Sequence, residues 1–271
     1  MSLKNKTIVF IGAGNMAEAL IRGLLVNQVV LPQQIIATDV RSDRLASLQK
    51  LFGIRTEPDN TQAARQADLI VLAVKPQQMS AVLATIHPGP TTLIISIAAG
   101  ITTARIEQEL GSAVRVIRVM PNTPALVGAG AAALCAGRFA LPEDSLAAET
   151  LLQAVGIVVS VEESHLDAVT ALSGSGPAYI FLVTEALITA GIAAGLPAEV
   201  ARRLTIQTVF GSALLLREST EDAVELRRKV TSPGGTTEAA IQVMLARNLP
   251  EIFQEAVAAA AQRGRELSGT N

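Results

Sequence analysis

The sequence predicts an α/β domain built on a Rossmann-type parallel sheet, followed by an all-helical domain. Up to about residue 162, short runs rich in Val and Ile alternate with Ala-, Leu- and Gln-rich helical stretches, the signature of successive β-α units. After Glu163 those runs largely disappear, and apolar residues recur at three- and four-residue spacing instead. The expected division is therefore 1–162 and 163–271.

TIVFIG, QIIATD, GIRTE, LIVLAVK, TLIISIAAG and VRVIRVM read in order as the first six strands. GAGAAALCA and VGIVVSV, with the helix-like LPEDSLAAETLLQ between them, suggest further strands at the sheet's edge. From residue 163 on, SGSGP, GLP, SPGG and NLP punctuate the helices. Residues 177–197, PAYIFLVTEALITAGIAAGLP, are nearly long enough to cross a membrane. Glu185 at the centre and Pro197 at the end favour a buried helix of a helical core or subunit interface. The amino-terminal MSLKNKTIVFIGAG superficially resembles a signal peptide, but Gly12 and Gly14 interrupt its apolar run too early for export.

Composition narrows the function. The chain has 271 residues, 22 basic against 24 acidic, and its net charge of -2 leaves no electrostatic footprint for nucleic acid. Aromatic residues make up 3% with no Trp, so no interfacial belt marks a membrane protein. Cys135 is the single cysteine, which excludes an intramolecular disulfide and a Cys-rich metal site. No metal is expected, and a reducing compartment, the cytoplasm, fits best.

Gly12-Ala13-Gly14-Asn15-Met16-Ala17 follows the strand TIVFI and opens the helical pattern MAEALIRGLL. That context makes a G-x-G-x-x-A pattern a dinucleotide signal. Gly12 permits the tight turn, Gly14 lets backbone approach a pyrophosphate, and Ala17 allows close packing of helix on strand. At the end of the second strand, Asp39 is placed like an acid that bonds a ribose 2′-hydroxyl and favours NAD, whereas Arg41, Arg44 and Ser42 could hold the 2′-phosphate of NADP. The residues alone leave both cofactors open. Ligands in open α/β sheets bind beyond the carboxyl ends of strands, so Ala73, Val74, Lys75 and Pro76, and Ile97, Ala98 and Ala99, should border the dinucleotide.

The stretch VTSPGGTTEAAI (230–241) sets small hydroxyl residues and glycines directly before a helix. Such an entrance can hold an anion on backbone N–H and side-chain O–H groups. The plain alternative is an ordinary cap, with Ser or Thr capping and Glu238 in the first turn.

GAGNMA, LAVKPQ, SIAAG, VMPNTPALVGAGA (119–131), LSGSGPAY (172–179) and TSPGGTT, in this order and spacing, resemble the pyrroline-5-carboxylate reductase family over almost the whole chain. The resemblance implies a Rossmann-type domain, a helical domain that forms a homodimer or a higher homo-oligomer, and hydride delivery from NAD(P)H, usually NADPH, to the C=N bond of Δ1-pyrroline-5-carboxylate. It implies that Ser232, Gly235, Thr236 and Thr237 hold the substrate carboxylate. It further places Thr170 near the ring nitrogen, Glu163 along the substrate site, Asn60 on the cofactor, and Ile97, Ala98 and Ala99 at the nicotinamide. One departure stands out. Where some members have a Glu in the loop before the SPGG helix, the ungapped match here is Thr220, with Glu218 and Glu221 nearby.

The chemistry asks for few acids. A cyclic imine is basic enough to be substantially protonated near neutral pH, and its iminium form is already electrophilic, so positioning should supply much of the rate. A carbonyl substrate would need its oxyanion protonated or stabilised. The chain has one Tyr, two His and five Lys. Tyr179 is expected with its ring in the core, His87 in a loop and His165 at a helix start, and none forms an evident acid-base pair. Two rivals are a β-hydroxyacid-type dehydrogenase, which needs a lysine where residues 165–196 have none, and a binding module that senses NAD(P) without turnover.

Overall fold

The structure is a computed structural model that describes residues 3–111 and 113–268; the outermost residues of both expected domains, 1–2 and 269–271, lie outside it. Eight strands form one sheet: β1 (Ile8–Ile11), β2 (Ile35–Thr38), β3 (Arg55–Thr56), β4 (Leu69–Leu72), β5 (Leu93–Ser96), β6 (Arg115–Met120), β7 (Gly130–Ala136) and β8 (Gly156–Ser160). Their order is β3-β2-β1-β4-β5-β6-β7-β8. All neighbours run parallel except β6 and β7, which are antiparallel. The expected edge strands are present, and the reversal at β7 is the departure from a purely parallel sheet.

The helices are α1 (Asn15–Val26), α2 (Ser42–Phe52), α3 (Asn60–Ala64), α4 (Met79–Leu83), α5 (Thr103–Leu110), α6 (Pro142–Gln153), α7 (Leu166–Val169), α8 (Gly176–Ala193), α9 (Ala198–Glu218), α10 (Ala223–Lys229), α11 (Thr236–Ala246) and α12 (Leu249–Ser268). Successive side chains of a strand point to opposite faces, and here both faces are covered. Ile8 and Phe10 enter one core with Leu20, Leu24 and Leu48 from α1 and α2. Val9 and Ile11 enter the other, with Ala63, Leu83 and Ile106 from α3, α4 and α5. β4 repeats the division, Leu69 and Val71 against Ile70 and Leu72. Continuous apolar runs such as LIVL are the consequence: a strand buried on both sides has no polar face.

The chain divides into two compact units, Met1–Ser175 with Ala260–Asn271, and Gly176–Ala259. The second unit contains only helices, α8 and α9 pairing across a turn at Gly195. Two local expectations change. SGSGP does not interrupt the helical path: Thr170–Gly174 form one π-helical turn between α7 and α8. α8, expected to be buried, has no buried residue in the single chain. Tyr179 is likewise only half-buried.

Candidate functional site

The carboxyl ends of β1, β2, β4 and β5 lie level, because Ile11 is paired with both Thr38 and Leu72, and Leu72 with Ser96. Between β2 and β4 the strand order reverses direction at β1. A crevice outside the sheet is expected at such a point. The Gly12–Ala17 loop leaves β1 there. Gly12 has φ +93°, and a Cβ on it would come within 2.7 Å of Ala73 O, so this turn against β4 admits only glycine. At Gly14 a Cβ would meet nothing within 4 Å, so the loop's outer side is open to a ligand. Ala17 is buried against the sheet, as a close helix-on-strand contact requires.

Gly14 is also the N-cap of α1, and no side chain caps that helix. Its first-turn N–H groups have no acceptor within the helix and are offered outward. Contrast α5 and α10, where Thr102 and Asp222 occupy the same kind of position with side-chain bonds. The second strand's end closes one flank. Gly12 N donates to Thr38 O (3.0 Å), and Thr38 Oγ1 donates to Asn60 Oδ1 (2.6 Å), which fixes that amide at the first residue of α3. Asp39 accepts from Ala13 N through Oδ2 and from Arg41 N through Oδ1, both at 3.0 Å. Burial acts to raise the Asp39 pKa, but these bonds and the Arg41 charge outweigh it and hold the carboxyl below its ordinary value. Arg41 is largely exposed. Arg44 instead turns under the glycine loop. On the other flank, Lys75 and Ala99 are exposed, Ala73, Val74, Pro76 and Ile97 half-buried, and Ala98 buried. The loops expected to border a dinucleotide are thus gathered at one end of the sheet, and the open face at Gly14 fits its pyrophosphate.

Glu163 and Thr170 belong to the same unit. The Glu163 carboxylate accepts from Thr103 N (2.8 Å), Thr103 Oγ1 (2.7 Å) and Arg118 Nη1 (3.0 Å). Burial works to raise its pKa, and the three donors prevail and lower it. The Cys135 thiol, paired across the sheet with Arg118, is pushed up to about 12 by burial foremost and by the Glu163 charge, so it stays protonated and is no nucleophile. Thr170 Oγ1 donates to Leu166 O (2.8 Å) at the start of the π turn, a distortion often found at functional sites.

Sequence reasoning named the MPNTP motif without giving its Asn122 a role. Asn122 Oδ1 accepts from Ala131 N (2.8 Å) and its Nδ2 donates to Ser173 O (3.1 Å), so one amide ties the end of β6, the start of β7 and the π turn. Gly174 lies so close to Met120 that a Cβ would fall 2.6 Å from its Cε. The available signal was an Asn in a short Pro-containing loop after a buried strand.

In the second unit, the entrance of α11 is capped by Gly235, not by Ser or Thr. Gly234 has φ +72°, and Gly235 N donates to Ser232 O (3.0 Å), making a tight turn. Glu238 accepts from Gly234 N through Oε2 (2.7 Å). Thr231 is occupied with Arg227 O (2.7 Å), whereas the hydroxyls of Ser232, Thr236 and Thr237 make no bond to another described residue. Glu221, next to the position where the family departs, is bound by Lys229 (2.6 and 2.8 Å).

Comparison with known proteins gives concordant results. A family profile described as pyrroline-5-carboxylate reductase dimerisation matches residues 163–267, and one described as NADP oxidoreductase, coenzyme F420-dependent, matches 7–100. A pyrroline-5-carboxylate reductase of Pseudomonas aeruginosa is 46% identical over 264 residues, 96% of each chain. The solved pyrroline-5-carboxylate reductase of Coxiella burnetii superposes with a TM-score of 0.92 at 45% identity, covering 97% of this chain and 98% of the other. The pyrroline carboxylate reductase of Plasmodium falciparum, solved with NADP bound, gives 0.87 at 30% identity over 97% and 98%. Identity of this degree along nearly the entire length, with the glycine loop, the MPNTP tie and the SPGG turn all in place, makes the chain a member of the pyrroline-5-carboxylate reductase family.

Proposed function

We propose that the protein reduces the C=N bond of Δ1-pyrroline-5-carboxylate to L-proline, the last step of proline biosynthesis, using NADPH in preference to NADH. Residues 1–162 hold the dinucleotide; residues 163–271 hold the substrate and the dimer contact. The bound nicotinamide supplies the hydride. The chain's own residues do the positioning.

In this reading the open start of α1 (Gly12 to Ala17) receives the pyrophosphate, with Asp39 and Arg41 around the adenosine ribose and Asn60 in contact with the cofactor. Ala73 to Pro76 and Ile97 to Ala99 border the nicotinamide. The glycine-capped start of α11, with the hydroxyls of Ser232, Thr236 and Thr237, grips the substrate carboxylate. Thr170 lies at the ring nitrogen, and Glu163 lines the substrate site. No strong acid is demanded, because the imine arrives substantially protonated.

One observation carries the reading: α1 and α11 both begin at a glycine with no side-chain cap, so the chain presents two helix starts to two anionic groups. A dinucleotide and a carboxylate account for both; a sensor of NAD(P) alone accounts for one. The protein acts as a homodimer or larger homo-oligomer in the cytoplasm, and a net charge of -2 is in keeping with its binding neither nucleic acid nor membrane. Incubation with NADPH and pyrroline-5-carboxylate should consume absorbance at the reduced nicotinamide band. Folded, NADPH-binding protein that consumes none would favour the sensor.

A further inference from the structure

The glycine loop is gripped from behind by a side chain outside every motif. Arg44, on α2, donates through Nε to Ala13 O (2.6 Å) and through Nη2 to Glu18 Oε2 (2.5 Å), with a longer approach to Gly14 O (3.5 Å). Glu18, in the first turn of α1, receives Arg22 on its other oxygen (2.5 Å). The Arg44 and Glu18 side chains are only 18% and 17% exposed. Ala13 is held at both ends, its N–H by Asp39 and its carbonyl by Arg44.

Two physical consequences follow from that grip. A trans peptide sets its N–H opposite its C=O, so drawing Ala13 O toward the guanidinium aims the N–H of Gly14 the other way, out of the loop. The second consequence concerns charge. A carboxylate in the first turn of α1 would repel a phosphate arriving at the same helix end, and Arg44 and Arg22 neutralise it. Arg44 thereby has its Nε and Nη2 engaged on protein, which commits most of its guanidinium to the loop rather than to a 2′-phosphate.

We infer that Arg44 is a positioning residue for cofactor binding: by holding Ala13 O and Glu18 it presents the glycine loop to the pyrophosphate without touching the nucleotide. The inference rests on the dinucleotide reading above. The pyrophosphate is common to NADPH and NADH, so the effect must be common to both, which a direct contact with the 2′-phosphate would not be.

The test is Arg44→Met in the full chain, with binding of NADPH, NADH and 2′-AMP titrated beside the wild type. Both dinucleotides should weaken by the same factor, about ten-fold for a lost charge-assisted bond. Their ratio and the affinity for 2′-AMP, which has no pyrophosphate, should not change, and Arg44→Lys should recover part of the loss. Arg44→Gln, which drops the charge but keeps an amide donor on the Ala13 O side, is the second variant should Arg44→Met not fold, and it should weaken both dinucleotides by a smaller common factor. Weakening of NADPH and 2′-AMP with NADH spared would overturn the inference in favour of direct contact. Unchanged affinities with a lowered melting temperature would overturn it in favour of a purely structural clamp. Wild-type protein that binds neither dinucleotide would remove the dinucleotide reading itself.

Discussion

Hydroxyl groups and carboxylates carry the sharpest expectations at the scale of single residues. Thr236→Val keeps the shape of the first residue of α11 and removes one O–H. Carboxylate grip is largely shared by ground and transition states, so the variant should raise KM for pyrroline-5-carboxylate about ten-fold while kcat falls less. Steady-state kinetics read this directly, and an unchanged KM would detach Thr236 from the substrate. Glu163 poses a different question, because its three donors all come from the sheet unit. Glu163→Gln leaves the Arg118 guanidinium, 6% exposed, without its counter-charge. Removing one partner of a buried pair costs about 3 to 5 kcal/mol, and the 31% exposure of Glu163 puts the expected loss toward the low end. The sign with pH follows from a depressed folded pKa. The wild-type contribution is complete above the unfolded value near 4.5 and disappears as pH falls through the lower folded value. Urea midpoints of wild type and variant should therefore differ at neutral pH and converge in acid; a constant gap would mean that the charge is not what stabilises.

Secondary-structure elements show why some of this was legible and some was not. The central strands β1, β2, β4 and β5 could be read because each is buried along its whole length on both faces, so LIVL and IVFI carry no polar residue to blur the pattern. The glycine loop could be read because a strand, a turn and a helix follow one another within a dozen residues. The reversal of β7 could not, since pairing direction depends on the connection through 121–129 and not on the strand's own residues. SGSGP reads as a break between helices because of its glycines. Gly174 instead lies within the π turn, packed against the Met120 side chain. Arg44 reads as a phosphate ligand from its place after the second strand, whereas its partners lie 26 to 31 positions away, beyond any local pattern. Asn122 joins segments in the same non-local way, and it gives the element-scale prediction. Asn122→Ala strips the partners from Ala131 N and Ser173 O at a site where the residue is 9% exposed. A loss of about 1 to 2 kcal/mol is expected from two half-buried groups left unpaired. If the π turn presents Thr170 to the substrate, kcat should drop at a temperature where the variant is fully folded, while NADPH affinity holds. Equal kinetics in the folded variant would leave Asn122 a tie and nothing more.

The whole molecule raises a problem that a single chain does not solve. Of the residues 176–259, only Ala201 is buried. A set of helices that buries almost none of its own apolar surface has little to set against the chain entropy it loses on folding. α8 is apolar all round, with Phe181 68%, Leu182 67% and Ile180 52% exposed, a larger apolar surface than soluble monomers ordinarily show. The continuous helical stretch Glu163–Ala193 is also long and apolar enough to cross a membrane. Two environments could cover it, a second copy of the chain or lipid. Glu185, near the middle of α8, is costly in a hydrocarbon core and tolerable at a protein interface, and the dimerisation profile covers this region. The protein should therefore run as a dimer or larger in detergent-free buffer, with a melting temperature that rises with protein concentration. Leu182→Glu should abolish that concentration dependence and shift sedimentation toward the monomer, because a charge on the exposed face of α8 would be buried against its copy without a counter-ion. Wild-type protein that sediments as a monomer and partitions into lipid vesicles would assign the face to a bilayer instead.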